Sequence, residues 1–437
     1  MDNKTPLTIF WFRRDLRLND NAALYHALKS DKPVLSLFIF DKEILDELED
    51  KNDARVTFIY QTIENLRHQL HKHGSSLLVI YDKAEHAWNN IIKDHNVAAV
   101  YTNHDYEPYA TQRDDAVKEK LGKHNIELKT FKDQVIFEKS EVVKDDGKPY
   151  TVYTPYQRKW YNTLKPFYLK GYSTEKYLHN LVKTLNLPLP TLKEMGFEKS
   201  DMHFPDQVYQ DVIGDYKEKR DFPAIKGTSH MGLHLRFGTV SIRELARTAY
   251  AQHEKTWLNE LIWREFYMMI LHHFPQTMDH AFRPEYDRIK WVNDEKQFKA
   301  WCEGNTGYPI VDAGMRELNA TGFMHNRVRM IAASFLSKDL LIDWRWGEHY
   351  FARKLLDYEM ASNVGGWQWA AGSGTDAAPY FRIFNPDAQT KKFDPELKYI
   401  KKWVPEYADF GKYPKPIIDH AFARDRCLKV FKAALAK

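Results

Sequence analysis

The chain has almost no cysteine. Among 437 residues only Cys302 and Cys427 occur, too few for a disulfide framework or for an iron–sulfur cluster held by four thiolates. No run approaches the ~18 apolar residues that a membrane span needs. The N-terminus, MDNKTPLTIF, enters an apolar run at once and lacks the separate basic region, apolar run and cleavage site of a secretory leader. These absences predict a cytoplasmic protein with no membrane partner. Neither GxGxxG nor GxxxxGK[ST] is present, so the two standard phosphate-binding turns are excluded. There is no internal repeat and no low-complexity tract. The formal charge of +4 is too small to demand nucleic acid, but it permits it if the basic residues share a face.

Aromatic residues are plentiful. Twelve Trp, 25 Tyr and 25 Phe make up 14% of the chain, and most of the tryptophans lie beyond residue 250. Such density serves a large packed core. It serves equally a flat-ring cofactor or electron transfer between rings, and composition alone does not choose.

The first 137 residues alternate between two periods. Short apolar runs at 7–12, 34–40, 76–81 and 98–102 read as buried parallel strands, with a more polar fifth at 127–137. Helical stretches at 54–73 and 112–123 lie between them. This alternation predicts a doubly wound, Rossmann-like α/β domain over 1–137, with ligands favouring the carboxyl ends of its strands. From 138 to 205 the pattern loosens into Pro-, Gly- and polar-rich sequence, expected of an inter-domain linker. From 206 to 437 nearly every segment reads as helix, including 241–253, 257–273, 294–303, 309–320, 326–341 and 348–356. Lys429, Lys432 and Lys437 read as a solvated basic helix end. The expected architecture is an α/β domain followed by an all-α domain.

Four stretches carry candidate chemistry. In WLNELIWREFY (257–267), Glu260 and Trp263 are three apart and share a helix face. An indole beside a carboxylate can hold a base, and an amphipathic helix with Trp inside and Glu outside accounts for the same spacing. MHNRVRM (324–330) gathers an Asn, two Arg and two Met where a helix opens toward a polar anionic ligand, or where an ordinary first turn is solvated. The run NVGGWQWAAGSGTD (363–376) is poor helix material, and its glycines allow backbone to approach a planar ligand. In GTSHMG (227–232), Thr228 and Ser229 are placed either to hold phosphate or to cap a helix.

Taken together, NELIWREFY, GYPIVDAGMRELNATGFMHNRVRM, FLSKDLLIDWR, NVGGWQWAAGSGTDAAPYFRIFNP and the N-terminal WFRRDLRLNDNAAL resemble the photolyase/cryptochrome family. Within it they resemble the class I branch that repairs cyclobutane pyrimidine dimers. The likeness runs from about residue 8 to 410. It implies FAD folded in the helical domain, with Tyr216, Thr228, Ser229, Met231 and Gly232 around its phosphates. Met231 and Gly232 depart from the usual Thr-Ser-x-Leu-Ser pattern there. Trp257, Arg264, Asn326 and Arg329, with Asp357, Glu359 and Asn363, are implied around the rest of the cofactor. Asn363 matches the residue beside flavin N5, where plant cryptochromes carry Asp and animal ones Cys.

The resemblance further implies a lesion pocket of Glu260, Trp263, Asn326, Met330 and Trp369. It implies a DNA face with Trp263, Arg327, Arg382, Lys391 and Lys392. It also implies a three-tryptophan relay of Trp367, Trp344 and Trp291. The expected activity is light-dependent repair of UV-damaged DNA by a monomer, as a deoxyribodipyrimidine photolyase. The alternatives are (6-4) repair, whose enzymes carry a His pair at Asn326 and Met330, and a cryptochrome-type photoreceptor. No metal is implied. A folate or deazaflavin antenna is common in the family. Ala110 stands where folate binders place a ligand Glu, so the antenna stays open. Arg13, Arg14, Arg17 and Asp20 read as structural ion pairs.

Overall fold

The computed structural model describes residues 5–377, 379–409 and 411–436; Lys437 lies outside them. The chain divides into two compact units. One comprises Met1–Glu138, Leu164–Gln207 and Gly232–Thr248; the other comprises Lys139–Thr163, Val208–Met231 and Ala249–Lys437. The stretch expected as a linker thus contributes to both. Its segment Tyr153–Thr163 is a helix of the second unit, while Leu181 bridges Val34 in the first.

The first unit is built on five parallel strands, β1 (Leu7–Phe12), β2 (Val34–Asp41), β3 (Leu77–Asp82), β4 (Val97–Asn103) and β5 (Glu127–Phe131), in the order β3-β2-β1-β4-β5. Every residue of β1 and β2 is buried, as continuous apolar strands covered on both faces require. The edge strand β5, ELKTF, is half exposed and ends six residues before the expected 137, because an edge strand has a partner on one side only. Chain order reverses between β1 and β4, and hydrogen bonds span that switch point. Asn103 Nδ2 donates to Asp15 Oδ2 at 2.6 Å and to Asn21 Oδ1 at 2.8 Å. The basic start of the chain is paired internally, as expected. Arg14 meets Asp105 at 3.1 Å, Arg17 meets Asp133 at 2.7 Å, and Asp20 meets Arg243 at 2.8 Å.

The second unit is helical. Its main core gathers Trp301, Phe335, Trp344 and Trp367, all essentially buried. Two expectations need correction. The run around Gly365 and Gly366 is not helix-breaking: Met360–Ala371 is a helix. Gly365 is a packing device, since a Cβ there would come within 2.3 Å of the Tyr267 ring. Close contact with the helix Thr256–His273 therefore outweighs the intrinsic cost of glycine, about 1 kcal/mol each. The helix ends at Gly372, whose φ of 90° places it in the left-handed region. Likewise 326–341 is not one α-helix. Asn326–Ser334 is α-helical, and Phe335–Asp339 is a π-helical turn in which Leu340 N–H bonds Phe335 O at 2.9 Å.

Candidate active site

In the helical unit the helices Thr256–His273, Asn326–Ser334 and Met360–Ala371 converge on a cavity of about 380 Å³. Glu260, Trp263 and Arg264 line it from the first helix, Asn326, Arg329 and Met330 from the second, and Asn363, Trp367 and Trp369 from the third. Asp357 and Glu359 line it from the turn before the third helix. The expected lesion residues and half of the expected cofactor residues, Arg264, Asn326, Arg329, Asp357, Glu359 and Asn363, therefore face one space. On the first two helices the residues recur at three or four positions from the first, which is why one helical face delivers them together; on the third, Asn363 and Trp367 are four apart and Trp369 lies two further on.

The arginines of this space are matched by acids. Arg264 Nε lies 2.7 Å from Glu359, Arg329 Nη2 lies 2.8 Å from Asp357, and Arg220 pairs with Glu260. Outside the lining, Arg327 lies 2.7 Å from Asp221 and its guanidinium sits over the Phe393 ring at 4.4 Å. The pairs hold the guanidiniums in place while leaving N–H groups for a ligand. Burial raises the Glu260 carboxyl above its ordinary value against the pull of Arg220, with Asp221 adding to the rise. Its side chain keeps 31% of its surface open, through the cavity.

Trp263 is held from behind. The Tyr153 ring stacks on it at 3.6 Å with 7° between planes, and the Tyr153 hydroxyl donates to Asn259 O at 2.8 Å. Asn363 is held too. Its Nδ2 donates to Glu348 O at 3.1 Å and Glu348 Oε1 at 2.9 Å, which leaves its carbonyl oxygen for the cavity.

The other expected residues lie around this space. Tyr216, under the Arg220 guanidinium at 5.4 Å, is not among the lining residues. Trp257 Nε1 donates to Ser229 Oγ at 3.3 Å, beside Thr228, and Met231 and Gly232 open the helix Met231–Phe237. Trp344 and Trp367 are each 2% exposed. Trp367 sits on Gly347, where a Cβ would come 2.1 Å from its ring, one turn from Trp344. Trp291 is partly exposed. The backbone beside it is tied to the segment leading into Trp344, with Val292 N–H to Leu341 O at 2.8 Å and Asp343 N–H to Asn293 Oδ1 at 2.8 Å. Arg382, Lys391 and Lys392 are exposed.

Sequence reasoning missed Arg220, Tyr267, Tyr358, Ser362 and Gly366 in the lining, and Tyr153 and Glu348 behind it. Gly366 was visible only as part of a glycine pair. Nothing local marks Glu348, whose importance comes from facing Asn363 across two helices.

The cavity fits a flavin. A Cβ on Gly366 would meet only open space, and Trp367, which lines the cavity, has its indole N–H buried without a hydrogen-bond partner. Paired arginines suit an anionic cofactor. The antenna stays open: Ala110, where folate binders place a ligand Glu, is buried, and Glu107 is engaged by Arg14 and Arg236. Among the described residues no cluster of His, Cys, Asp or Glu is arranged to hold a metal.

A parallel α/β unit, and a helical unit whose cavity is lined by acid-paired arginines and tryptophans, mark a two-unit flavoprotein. Residues 8–174 match the DNA photolyase family model, and residues 257–412 match that of the FAD binding domain of DNA photolyase. A deoxyribodipyrimidine photo-lyase of Synechococcus sp. is 37% identical, covering 98% of both chains. Two solved structures share the fold. A class III photolyase of Agrobacterium tumefaciens has a TM-score of 0.84 at 34% identity, covering 99% of this chain and 98% of that one. A cryptochrome of Synechocystis sp. has a TM-score of 0.83 at 26% identity, covering 98% and 100%. The chain belongs to the DNA photolyase family and carries its FAD-binding domain.

Proposed function

We propose that this protein is a light-dependent DNA repair enzyme, a deoxyribodipyrimidine photolyase that splits cyclobutane pyrimidine dimers. One observation carries the reading: Glu260, Trp263, Asn326, Met330 and Trp369 face the same cavity as Asn363, Arg264 and Arg329. A base-sized polar and aromatic surface thus adjoins the groups suited to a flavin. Arg264, Arg329, Asp357, Glu359 and Asn363 would hold FAD, which when reduced and excited by blue light would lend the electron that opens the cyclobutane ring and take it back once the ring has split.

The chain's own residues do the rest. A dimer inside a duplex does not reach a buried cavity, and photolyases are a standing example of base flipping. Trp263, backed by Tyr153, and Trp369 offer flat apolar faces to the two joined bases. Asn326 and Glu260 offer hydrogen bonds to their edges. A protonated Glu260, the form that burial favours and the Arg220 pair opposes, would donate a hydrogen bond to a lesion carbonyl oxygen where negative charge builds. Arg327, Arg382, Lys391 and Lys392 meet phosphates, which position the duplex without reading sequence. Trp367, Trp344 and Trp291 form the relay from the surface. The presence of Asn326 and Met330 at the lesion wall favours dimers over (6-4) products.

We read the protein as a cytoplasmic monomer. Both cysteines are free, as a reducing compartment allows, and one chain supplies the whole cavity. Among the described residues no helix is long and apolar enough to cross a membrane.

The test is repair of a thymine dimer in single- and double-stranded oligonucleotides by reduced holoprotein, in blue light and in darkness. Light-dependent recovery of intact thymines, slowed in Glu260→Ala, supports the reading. No repair despite bound, reducible FAD sinks it, and activity on the (6-4) product alone would replace it.

A further inference from the structure

Lys338 has no part in the proposed repair chemistry, and its position calls for an explanation. It is 1% exposed, one of the largest fully buried side chains, and sits in the π-helical turn Phe335–Asp339. Such turns insert one residue and recur at functional places. An ammonium is costly to bury without a carboxylate partner. Here Nζ donates instead to a main-chain carbonyl, that of Arg382, at 2.8 Å. The carboxylate next door, on Asp339, is engaged by His420 at 2.5 Å, while Arg426 holds the Asp339 carbonyl.

The carbonyl that Lys338 grips belongs to a surface loop. Tyr380 stacks on Phe431 at 6.0 Å, which pins the loop to the C-terminal helix, and Arg382 N–H bonds Pro379 O at 2.8 Å. Between these anchors Phe381 is 63% exposed and Arg382 is exposed. An exposed aromatic beside an exposed arginine, on a loop fixed from inside, is equipped to meet nucleic acid.

We infer that Lys338 is a positioning residue for DNA recognition: from inside the helical core it fixes the Arg382 carbonyl and so sets where Arg382 and Phe381 meet the damaged duplex. This rests on the reading of Arg382 as a DNA contact. The grip depends on pH. The groups facing the ammonium are Asp339 on its own turn, Cys427 from the C-terminal helix, and Arg382 from the loop. Burial pulls Lys338 down to about 8, with Cys427 and Asp339 opposing and Arg382 assisting. Cys427 is itself pushed up to about 12 and stays a thiol. Below pH 8 the ammonium holds the loop; as pH rises through that value the donor becomes a weaker neutral amine and the loop loosens.

The test measures binding of a dimer-containing duplex to holoprotein between about pH 7 and 9, for wild type, Lys338→Met, Arg382→Ala and the double variant. Lys338→Met should weaken binding about tenfold, the scale of one charge-assisted hydrogen bond, and leave the FAD spectrum and its photoreduction unchanged. Wild-type affinity should fall across this pH range, and the fall should vanish in Lys338→Met. In the Arg382→Ala background Lys338→Met should cost clearly less, only what misplacing Phe381 contributes. Fully additive losses, or a pH step that survives undiminished in Arg382→Ala, overturn the inference. The second comparison needs no folded Lys338→Met. A wild type that repairs dimers but shows no step overturns this inference alone. A wild type that never prefers damaged duplex overturns the repair reading and this inference with it.

Discussion

Replacing Glu348 by Leu isolates what the hydrogen bond to Asn363 contributes. Glu348 is 5% exposed, and its Oε1 accepts from Asn363 Nδ2 at 2.9 Å. The variant leaves the Asn363 amide held only by the Glu348 main-chain carbonyl, at 3.1 Å. One such bond is worth about 1 kcal/mol, and up to about 3 kcal/mol if the acceptor is charged. Loss of about 1 kcal/mol lets the amide turn about fivefold more often, so its oxygen is less often available to an N–H of reduced flavin. If that free energy is fully coupled to reduction, the one-electron potential falls by about 40 mV. Anaerobic redox titration of the bound FAD measures it, and the dark rate of re-oxidation in air should rise. Glu348→Gln keeps an acceptor and should restore most of the shift. A potential unmoved by Glu348→Leu refutes the orientation argument. The same variant has a pH signature. Burial raises the Glu348 carboxyl, so the folded state holds its proton more tightly than the unfolded chain. That contribution is present below the unfolded pKa and is lost as pH rises through the folded one. Glu348→Leu should therefore recover stability relative to wild type as pH rises, by thermal melting.

Trp344→Phe should block photoreduction of oxidised FAD, read by transient absorption, while chemically reduced variant still repairs dimers; normal photoreduction would remove Trp344 from the relay. Arg382→Ala should weaken binding to damaged and undamaged DNA alike and lower the salt slope by about one, whereas Asn326→Ala should mainly lose lesion discrimination. Equal effects on undamaged DNA would end that division of labour. His325 is buried, caps the helix Asn326–Ser334 through Arg327 N–H, and is held down to about 4 by burial and nearby arginines. Because the folded state keeps it neutral, its contribution is full above the unfolded value near 6.5 and is lost as pH falls toward 4. His325→Asn, which keeps a capping oxygen, should flatten acid unfolding by at most about 3 kcal/mol. An unchanged acid midpoint would show that His325 does not titrate in that range.

The strand runs and the motif order were legible because they are local. Continuous apolar strands and i, i+3, i+4 spacing along a helix follow from the two periods of the backbone, and they placed Glu260 with Trp263 and Asn326 with Met330. The misreadings occur where distant parts of the chain meet. Gly365 and Gly366 have poor helix propensity, yet Met360–Ala371 is helical because the glycine at 365 lets it pack against Tyr267. The π-helical turn at Phe335–Asp339 leaves no local trace and turns Lys338 inward to Arg382. Likewise nothing near Glu348 or Tyr153 announces that one orients Asn363 and the other backs Trp263.

The α/β and helical classes, the faces on which the site residues stand, and the family are each written in spacing or motif along a few turns of chain. Which charges neutralise one another, whether a glycine such as Gly365 is a packing surface, and which buried side chains support the site emerge only once the fold has formed. Those outcomes depend on contacts between residues as far apart in the chain as Tyr153 and Trp263, whose energies exceed local propensity only once both helices are in place.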